Sequence, residues 1–524
     1  MVSRTTEDTA EEHSDWQPSV NPWLVATSVM LATFMVVLDS SVATVALPHI
    51  AGSLSASTDE STWVLTSYLV ANAIMLPAAG WIARRIGRKR LMIISILVFT
   101  GASLLCGMAI DMPMLIVARV LQGIGGGGMQ PLAQSILLES FPPRRHGTAM
   151  AAYGMGIVVA PVIGPTLGGW ITDSYSWRWI FYINLPVGIL ALLMTNLFIE
   201  DPPYLRHAFK VAIDYLGFGL MAVWLGAMQL VLDKGQEADW FEANWIRMAT
   251  AVCAAAFIGF VVRELTSRDP IVELRILLNR NFGVGTLIAT LYGFALYGVT
   301  ALLPLFLQTL LGYSALDSGL AVSPRGLGSL VAMMLVGILV NYVDGRILLA
   351  LGFAGFAYST FLLSHINLSI SIWSVAVPNF LNGFSGGFIF VPLTTMTMSQ
   401  LRKQEMGNAA GIYNLMRNIG ASVGIATVTT FLVRGSQIHQ NYLTGNVTAT
   451  NPTAMSALQG LQARFFSGGA NAITAQQDAL GAIYRSIEQQ ATLLAYADNF
   501  RMVGYLALFC IPLLLLLVRL RHKA

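Results

Sequence analysis

Asp39 is a carboxylate set well inside an apolar stretch, Leu38-Asp39-Ser40-Ser41-Val42-Ala43-Thr44-Val45-Ala46-Leu47-Pro48. Holding a charge in hydrocarbon costs from about 2.5 to more than about 10 kcal/mol. A residue kept at that cost is a functional candidate, and the chemistry that suits a lone carboxyl there is carrying a proton. Its candidate partner is Arg119, in a second apolar stretch. An arginine favours the ionised carboxylate and burial favours the neutral acid, so cargo binding or a small helix movement can tip the balance and release the proton. The plainer role for Arg119 is to bond backbone carbonyls and brace helix packing. Two further arginines lie in apolar segments: Arg325, after the helix-breaking Pro324, and Arg417, flanked by Asn414 and Asn418. Asn414 and Asn418 are four apart and share a helix face. With Gln122 these residues are candidates for an acidic substrate or a gate, although such polar stripes commonly serve helix–helix hydrogen bonding. No catalytic constellation appears. The seven histidines are scattered without metal spacing, and the three cysteines, Cys106, Cys253 and Cys510, lie far apart in apolar stretches. Neither an enzyme nor a metal protein is expected.

The elements that must position these residues are membrane helices. Hydrophobic residues make up 55% of the 524, charged residues only 11%, less than half of what a soluble domain carries. A window of about 20 residues predicts fourteen spans, the first over 23–48, the fourth over 114–138 and the fifth over 148–171. At 1.5 Å per residue Asp39 lies roughly 20–24 Å along span 1, and Arg119 roughly 8 Å along span 4, which enters from the other face. Their depths are therefore comparable. Loops after even-numbered spans carry the arginines and lysines, including Arg84, Arg85, Arg88, Lys89, Arg144 and Arg145. By the positive-inside rule both termini are cytoplasmic. Residues 1–22 read as a polar tail. Residues 433–499, on the outer face, show helical patterning from about 453 to 495. They read either as a helical hairpin with no task or as a docking element for an extracytoplasmic partner. Met75, Tyr153, Met155, Tyr292, Phe294, Tyr297 and Met396 offer a soft, aromatic lining to any cavity, or ordinary packing.

Glycines mark the close contacts. Gly123, Gly125, Gly126, Gly127 and Gly128 in span 4 are followed by no Lys-Ser or Lys-Thr, so they read as small residues that let helices approach in lipid and not as a phosphate loop. Gly164, Pro165, Gly168 and Gly169 punctuate span 5 and suit a helix that bends. The chain resembles the major facilitator superfamily, and within it the fourteen-span drug:proton antiporter branch, from Trp23 to Arg519. Matching motifs are Leu38 through Pro48 in span 1, Gly80-Trp81-Ile82-Ala83-Arg84-Arg85-Ile86-Gly87-Arg88-Lys89 after span 2, and Arg119, Gln122, Gly123 and Gly125 in span 4. They continue with Gly164-Pro165-Thr166-Leu167-Gly168-Gly169 in span 5, Trp177 through Pro186, and Leu232-Asp233-Lys234-Gly235. Arg84 stands where the superfamily usually has Asp, so the acidic latch of that loop is missing. Its degenerate counterpart in the second half keeps Asp344 and Arg346.

The resemblance implies an all-α integral membrane protein with 14 transmembrane helices in a 6+2+6 arrangement. Residues 23–199 would form one bundle, 200–282 two inserted helices with their loops, 283–432 spans 9–13, and 500–524 the last span and tail. It further implies proton-driven export of amphipathic drugs or toxic compounds across the bacterial cytoplasmic (inner) membrane. The proton gradient supplies the energy and no cofactor is expected. Asp39 and Arg119 would couple the proton. Gly80, Arg84, Arg85, Gly87, Arg88, Asp344 and Arg346 would form the gating loops. Expected partners are the small-molecule cargo, membrane lipid, a periplasmic adaptor and an outer-membrane duct, with no nucleic acid. A dedicated exporter of one endogenous metabolite, such as a siderophore or fatty acid, fits the same residues.

Overall fold

The computed structural model describes residues 18–518, apart from 57, 202–213, 268–269, 341 and 449. Residues 1–17 of the expected tail over 1–22, and 202–213 within the expected segment 200–282, therefore lie outside the described residues. Every described element is helical, as lipid demands: each backbone N–H and C=O must be satisfied within its own segment. Thirteen of the helices are long and apolar enough to cross a membrane.

The first half comprises α1 (Pro22–Ser53), α2 (Thr58–Ile86), α3 (Arg88–Gly107), α4 (Met112–Gly127), α5 (Met129–Ser140), α6 (His146–Ser174) and α7 (Asn184–Phe198), with a short turn at Trp179–Tyr182 before α7. The fourth expected span, 114–138, departs from a single helix. It is built as α4 and α5 in series, 16 and 12 residues long, meeting at Gly128. A Cβ at Gly123 would stand 2.5 Å from the Tyr68 carbonyl and one at Gly125 2.5 Å from the Phe99 nitrogen. The missing side chains let α4 lie directly on the backbones of α2 and α3.

Two inserted helices follow, α8 (Tyr215–Lys234) and α9 (Asn244–Thr266). Asp214 caps α8 by accepting from Gly217 N at 2.9 Å, and its other oxygen takes Arg263 Nε of α9 at 2.9 Å. The second half comprises α10 (Arg280–Leu305), α11 (Ala315–Val322), α12 (Pro324–Leu339), α13 (Gly345–Leu363), α14 (Ile372–Met398), α15 (Met406–Thr444), α16 (Pro452–Ser467) and α17 (Ala472–Leu513). The segment expected as an outer loop over 433–499 is largely the continuation of two span helices. No proline interrupts 433–444, so α15 runs on for 39 residues, and α17, at 42 residues, begins well before 500. Ser436 and Thr492 (2.9 Å), His439 and Asp498 (2.9 Å), and Gln440 and Tyr484 (3.0 Å) hold the two extensions together.

The halves meet tightly at the end that carries the α2–α3 junction, where the segment expected as a loop over 80–89 is helical on both sides of Gly87. A Cβ on Gly80 of α2 would stand 2.7 Å from the Gly407 carbonyl of α15. Thr148 Oγ1 donates to the Gly337 carbonyl at 3.0 Å, and further in, Asn414 Nδ2 donates to Gln134 Oε1 at 2.7 Å. At the other end α8 lies between α2 and α15. Lys234 Nζ reaches Thr62 Oγ1 (3.1 Å), while Ser422 Oγ donates to Gln229 Oε1 (2.9 Å).

Candidate functional site

Asp39 is buried on α1, and three side chains from two other helices converge on it. Arg119 Nη1 of α4 donates to Asp39 Oδ2 at 2.6 Å. Oδ1 accepts from Gln122 Nε2 at 2.8 Å and from Asn184 Nδ2 of α7 at 2.7 Å. Arg119 and Gln122 are three apart on α4 and so share a face, which lets Gln122 Oε1 accept from Arg119 Nη1 at 2.8 Å. Arg119 Nε donates to the Val64 carbonyl at 3.0 Å. Asn184 is fixed in turn: it also donates to Ser103 Oγ at 3.0 Å, and Ser103 donates to the Phe181 carbonyl at 2.8 Å. Arg119, Gln122, Asn184 and Ser103 are all 0% exposed and Asp39 2%. Buried charge survives only when paired and hydrogen-bonded, and this cluster meets that condition.

Glycines bring α6 to the same place. A Cβ on Gly164 would run into Ser41 Oγ, and one on Gly168 would lie 2.9 Å from Val42 Cγ1. The span 5 motif thus seats α6 against the turn of α1 that carries Asp39. Gly169 makes only ordinary contact with Val45, at 4.0 Å. Pro165 lies in α6, with its side chain outside the described set.

A cavity of about 820 Å³ opens beside the cluster, lined by Ser40, Tyr68, Asn72, Gln130, Asp233 and Asn418 among others. Tyr68 faces both compartments, because the Arg119 guanidinium carbon lies 4.2 Å over its ring. The cavity reaches Thr44, Thr62 and Glu237, away from the tightly closed end. Of the methionine and aromatic side chains expected as lining, Tyr297 is present, whereas Tyr153, Tyr292 and Met396 are packed in the core.

The remaining candidates scatter. Gln122, read as a substrate or gate residue, belongs instead to the Asp39 cluster, because its position one turn from Arg119 turns it inward. Asn414 bonds across the halves to Gln134, Asn418 lines the cavity, and Arg417 Nη2 reaches Gln130 Oε1 at 3.4 Å. Arg325 Nη1 donates to Thr300 Oγ1 at 2.5 Å. At the α2–α3 junction, Arg84 Nη2 donates to the Pro270 carbonyl at 3.4 Å, and Arg85 lies beside it in the last turn of α2. Gly87 adopts φ +89°, a conformation that only glycine takes without strain, and a Cβ there would also meet the Asp201 carboxylate. Arg88 forms a buried ion pair with Glu139 at the end of α5. In the second half Asp344 caps α13, accepting from Arg346 N at 3.1 Å, and the Arg346 side chain donates to the Leu517 carbonyl. Asn184 and Ser103 carried no assigned role in the sequence. The one signal was a polar Asn184 held in Ile183-Asn184-Leu185-Pro186.

The description "Major Facilitator Superfamily" matches residues 29–425. The chain belongs to the major facilitator superfamily. Within it the chain is similar to the multidrug export protein EmrB of Haemophilus influenzae, 39% identical over 83% of this chain and 85% of that protein. Similarity to EmrB of Escherichia coli (strain K12) is 36% over 91% of this chain and 92% of that one. The fatty acid resistance protein FarB of Neisseria gonorrhoeae is 37% identical over 93% and 94% of the two chains. Among solved structures, the human organic anion transporter MFSD10 superposes with a TM-score of 0.59 at 14% identity, covering 94% of this chain and all 100% of that one. At that identity the superposition speaks for the fold alone; that this is a multi-pass, EmrB-like major facilitator rests on the family match and the relatives at 36–39% identity.

Proposed function

We propose that this major facilitator is a proton-coupled antiporter that exports amphipathic drugs or toxic organic compounds across the bacterial cytoplasmic membrane by alternating access. The observation that carries the reading is Asp39, buried beneath donors from Arg119, Gln122 and Asn184, one residue from a cavity-lining serine. Protonating Asp39 removes the charge on which the three donors converge. It leaves Arg119 without a counter-charge in a buried site, a change of about 3–5 kcal/mol when one partner of such a pair is lost. A proton crossing the membrane releases about 2.3 kcal/mol per 100 mV. The two are of the same order, so proton entry can help drive α1 and α4 into another arrangement. Tyr68, stacked on Arg119 and lining the cavity, is the side chain through which cargo would feel that event.

Both termini lie in the cytoplasm in this reading, by the arginine-rich loops. The closed end then faces the cytoplasm and the cavity faces outward. The spans form two six-helix bundles with α8 and α9 inserted, and Gly80, Arg84, Arg85, Gly87 and Arg88 at the α2–α3 junction, with Asp344 and Arg346, serve the cytoplasmic gate. The α15–α16–α17 projection is the candidate surface for a periplasmic adaptor leading to an outer-membrane duct. A dedicated metabolite exporter remains the second reading, favoured by similarity to a protein named for fatty acid resistance.

The deciding experiment is cargo-triggered proton movement in liposomes holding only the purified protein, wild type against Asp39→Asn, over a panel of dyes, drugs and fatty acids. Proton movement with many unrelated compounds, absent in Asp39→Asn, is the expected result. A response to one compound class alone supports the dedicated exporter. Undiminished proton-coupled transport by the Asp39→Asn protein would falsify the coupling role.

A further inference from the structure

The cavity carries charge of its own, and all of its charged lining comes from α8 and the turn after it. Asp233, Lys234 and Glu237 line it. Lys234 Nζ is engaged, 2.7 Å from Glu237 Oε2 and 3.1 Å from Thr62 Oγ1. Asp233 is different. It is half-buried, its Oδ1 accepts from the neutral Gln229 Nε2 at 2.9 Å, and it forms no ion pair among the described residues. The Thr66 hydroxyl hydrogen-bonds it as well, and the apolar part of the cavity lining includes Leu65, Met228 and Tyr297. The arginines of the second half do not line the cavity: Arg325 is held by Thr300 and Arg417 by Gln130. Its neighbour Lys234 is already paired with Glu237, and the three charged lining residues together leave one negative charge unbalanced, so the cavity favours a ligand that brings a positive one.

We propose that Asp233 is the anchor for the positive head of an amphipathic organic cation. The ligand's apolar body would rest on Leu65 and Met228, with Tyr297 offering its ring face to the charge. The inference rests on this cavity being the cargo site of the proposed antiporter, and it names the class of cargo. A volume of about 820 Å³ accommodates a drug-sized ion. Gln229 extends the effect, because while it donates to Asp233 its Oε1 accepts from Ser422 Oγ of α15 at 2.9 Å. A cation at Asp233 therefore pulls on the hydrogen-bonded link between the inserted helix and the second half.

The test is equilibrium binding to the full-length purified protein in nanodiscs, with tetraphenylphosphonium, the same-shaped anion tetraphenylborate, and uncharged N-phenyl-1-naphthylamine as probes. A unit charge lost from contact distance should weaken the phosphonium by about 10- to 100-fold in Asp233→Asn. The uncharged probe should hold its affinity within about twofold, and Asp233→Glu should restore most of the loss. Equal weakening of all three probes would mark Asp233 as a structural residue and overturn the proposal. Phosphonium binding unchanged in Asp233→Asn would overturn it as well, as would a wild type that binds the neutral probe and not the phosphonium. Proton movement in liposomes keeps the two readings apart. An antiporter that moves protons with neutral cargo but ignores Asp233 defeats only the anchor, whereas no proton movement with any cargo defeats the function beneath it.

Discussion

Arg119 works through the shape of its head group as much as its charge. Nε holds the Val64 carbonyl while Nη1 holds Asp39 and Gln122, and the guanidinium plane lies over Tyr68. A lysine keeps the charge but offers neither the fixed fork nor the flat face. Arg119→Lys should therefore lose proton-coupled transport by about tenfold or more, close to Arg119→Ala, equivalent to at least about 1.4 kcal/mol. Initial rates in liposomes under an imposed pH gradient check this, and near-normal rates in the lysine protein would reduce Arg119 to a point charge. Asn184→Leu makes the matching test of a residue that orients Asp39 without itself titrating. Protons moved per cargo should fall while cargo affinity stays within about twofold, because Asn184 touches the carboxylate and is absent from the cavity wall. The charged members of this cluster were legible in the sequence because charge in an apolar run is conspicuous. Asn184 and Ser103 were not, since a neutral polar residue is common in membrane helices and only the tertiary fold says which helix it faces.

Single helices were legible for the same reason: about 20 apolar residues must span. The one-residue interruption at Gly128 was not, because a glycine run signals close packing without saying where the helix breaks. The outward run of α15 and α17 was also hidden, since hydropathy falls where a helix leaves lipid although its backbone hydrogen bonds continue. At this scale the inserted pair offers a test of stability. Burial pushes the Asp214 carboxyl up, but hydrogen bonds from Arg263 and the Gly217 N–H outweigh that and hold it below the usual carboxylate range. A carboxyl depressed in the folded state stabilises fully above its unfolded value and loses that contribution as pH falls through its folded value. Asp214→Ala should thus cost about 1 kcal/mol as a lost cap at neutral pH, and the gap to wild type should close in acid. Unfolding in detergent at a series of pH values measures it. A gap that persists unchanged into strong acid would show that Asp214 acts without its charge.

For the whole molecule, the tight end and the open cavity belong to one conformation, and transport requires the reverse arrangement as well. The closed end is held by close contacts between the halves. A Cβ on Gly337 of α12 would lie 3.0 Å from the Cβ of Ala151 on α6, and Thr148 Oγ1 already bonds the Gly337 carbonyl. Disulfides need Cβ atoms about 3.5–4.5 Å apart, so a small adjustment permits a bridge between the halves. The pair Ala151→Cys with Gly337→Cys should cross-link under oxidation and trap the protein with this end shut. Rocking of the bundles would stop, since neither half could move from the other here. Transport should fall to background and return with a reducing agent. Binding of a cavity probe from the side facing Thr44 and Glu237 should survive, because that opening is far from the bridge. The double substitution is made in a protein lacking Cys106, Cys253 and Cys510, so that only the intended pair can form. A cross-linked protein that still carries cargo across the bilayer would mean that this end need not open, and alternating access through it would have to be abandoned.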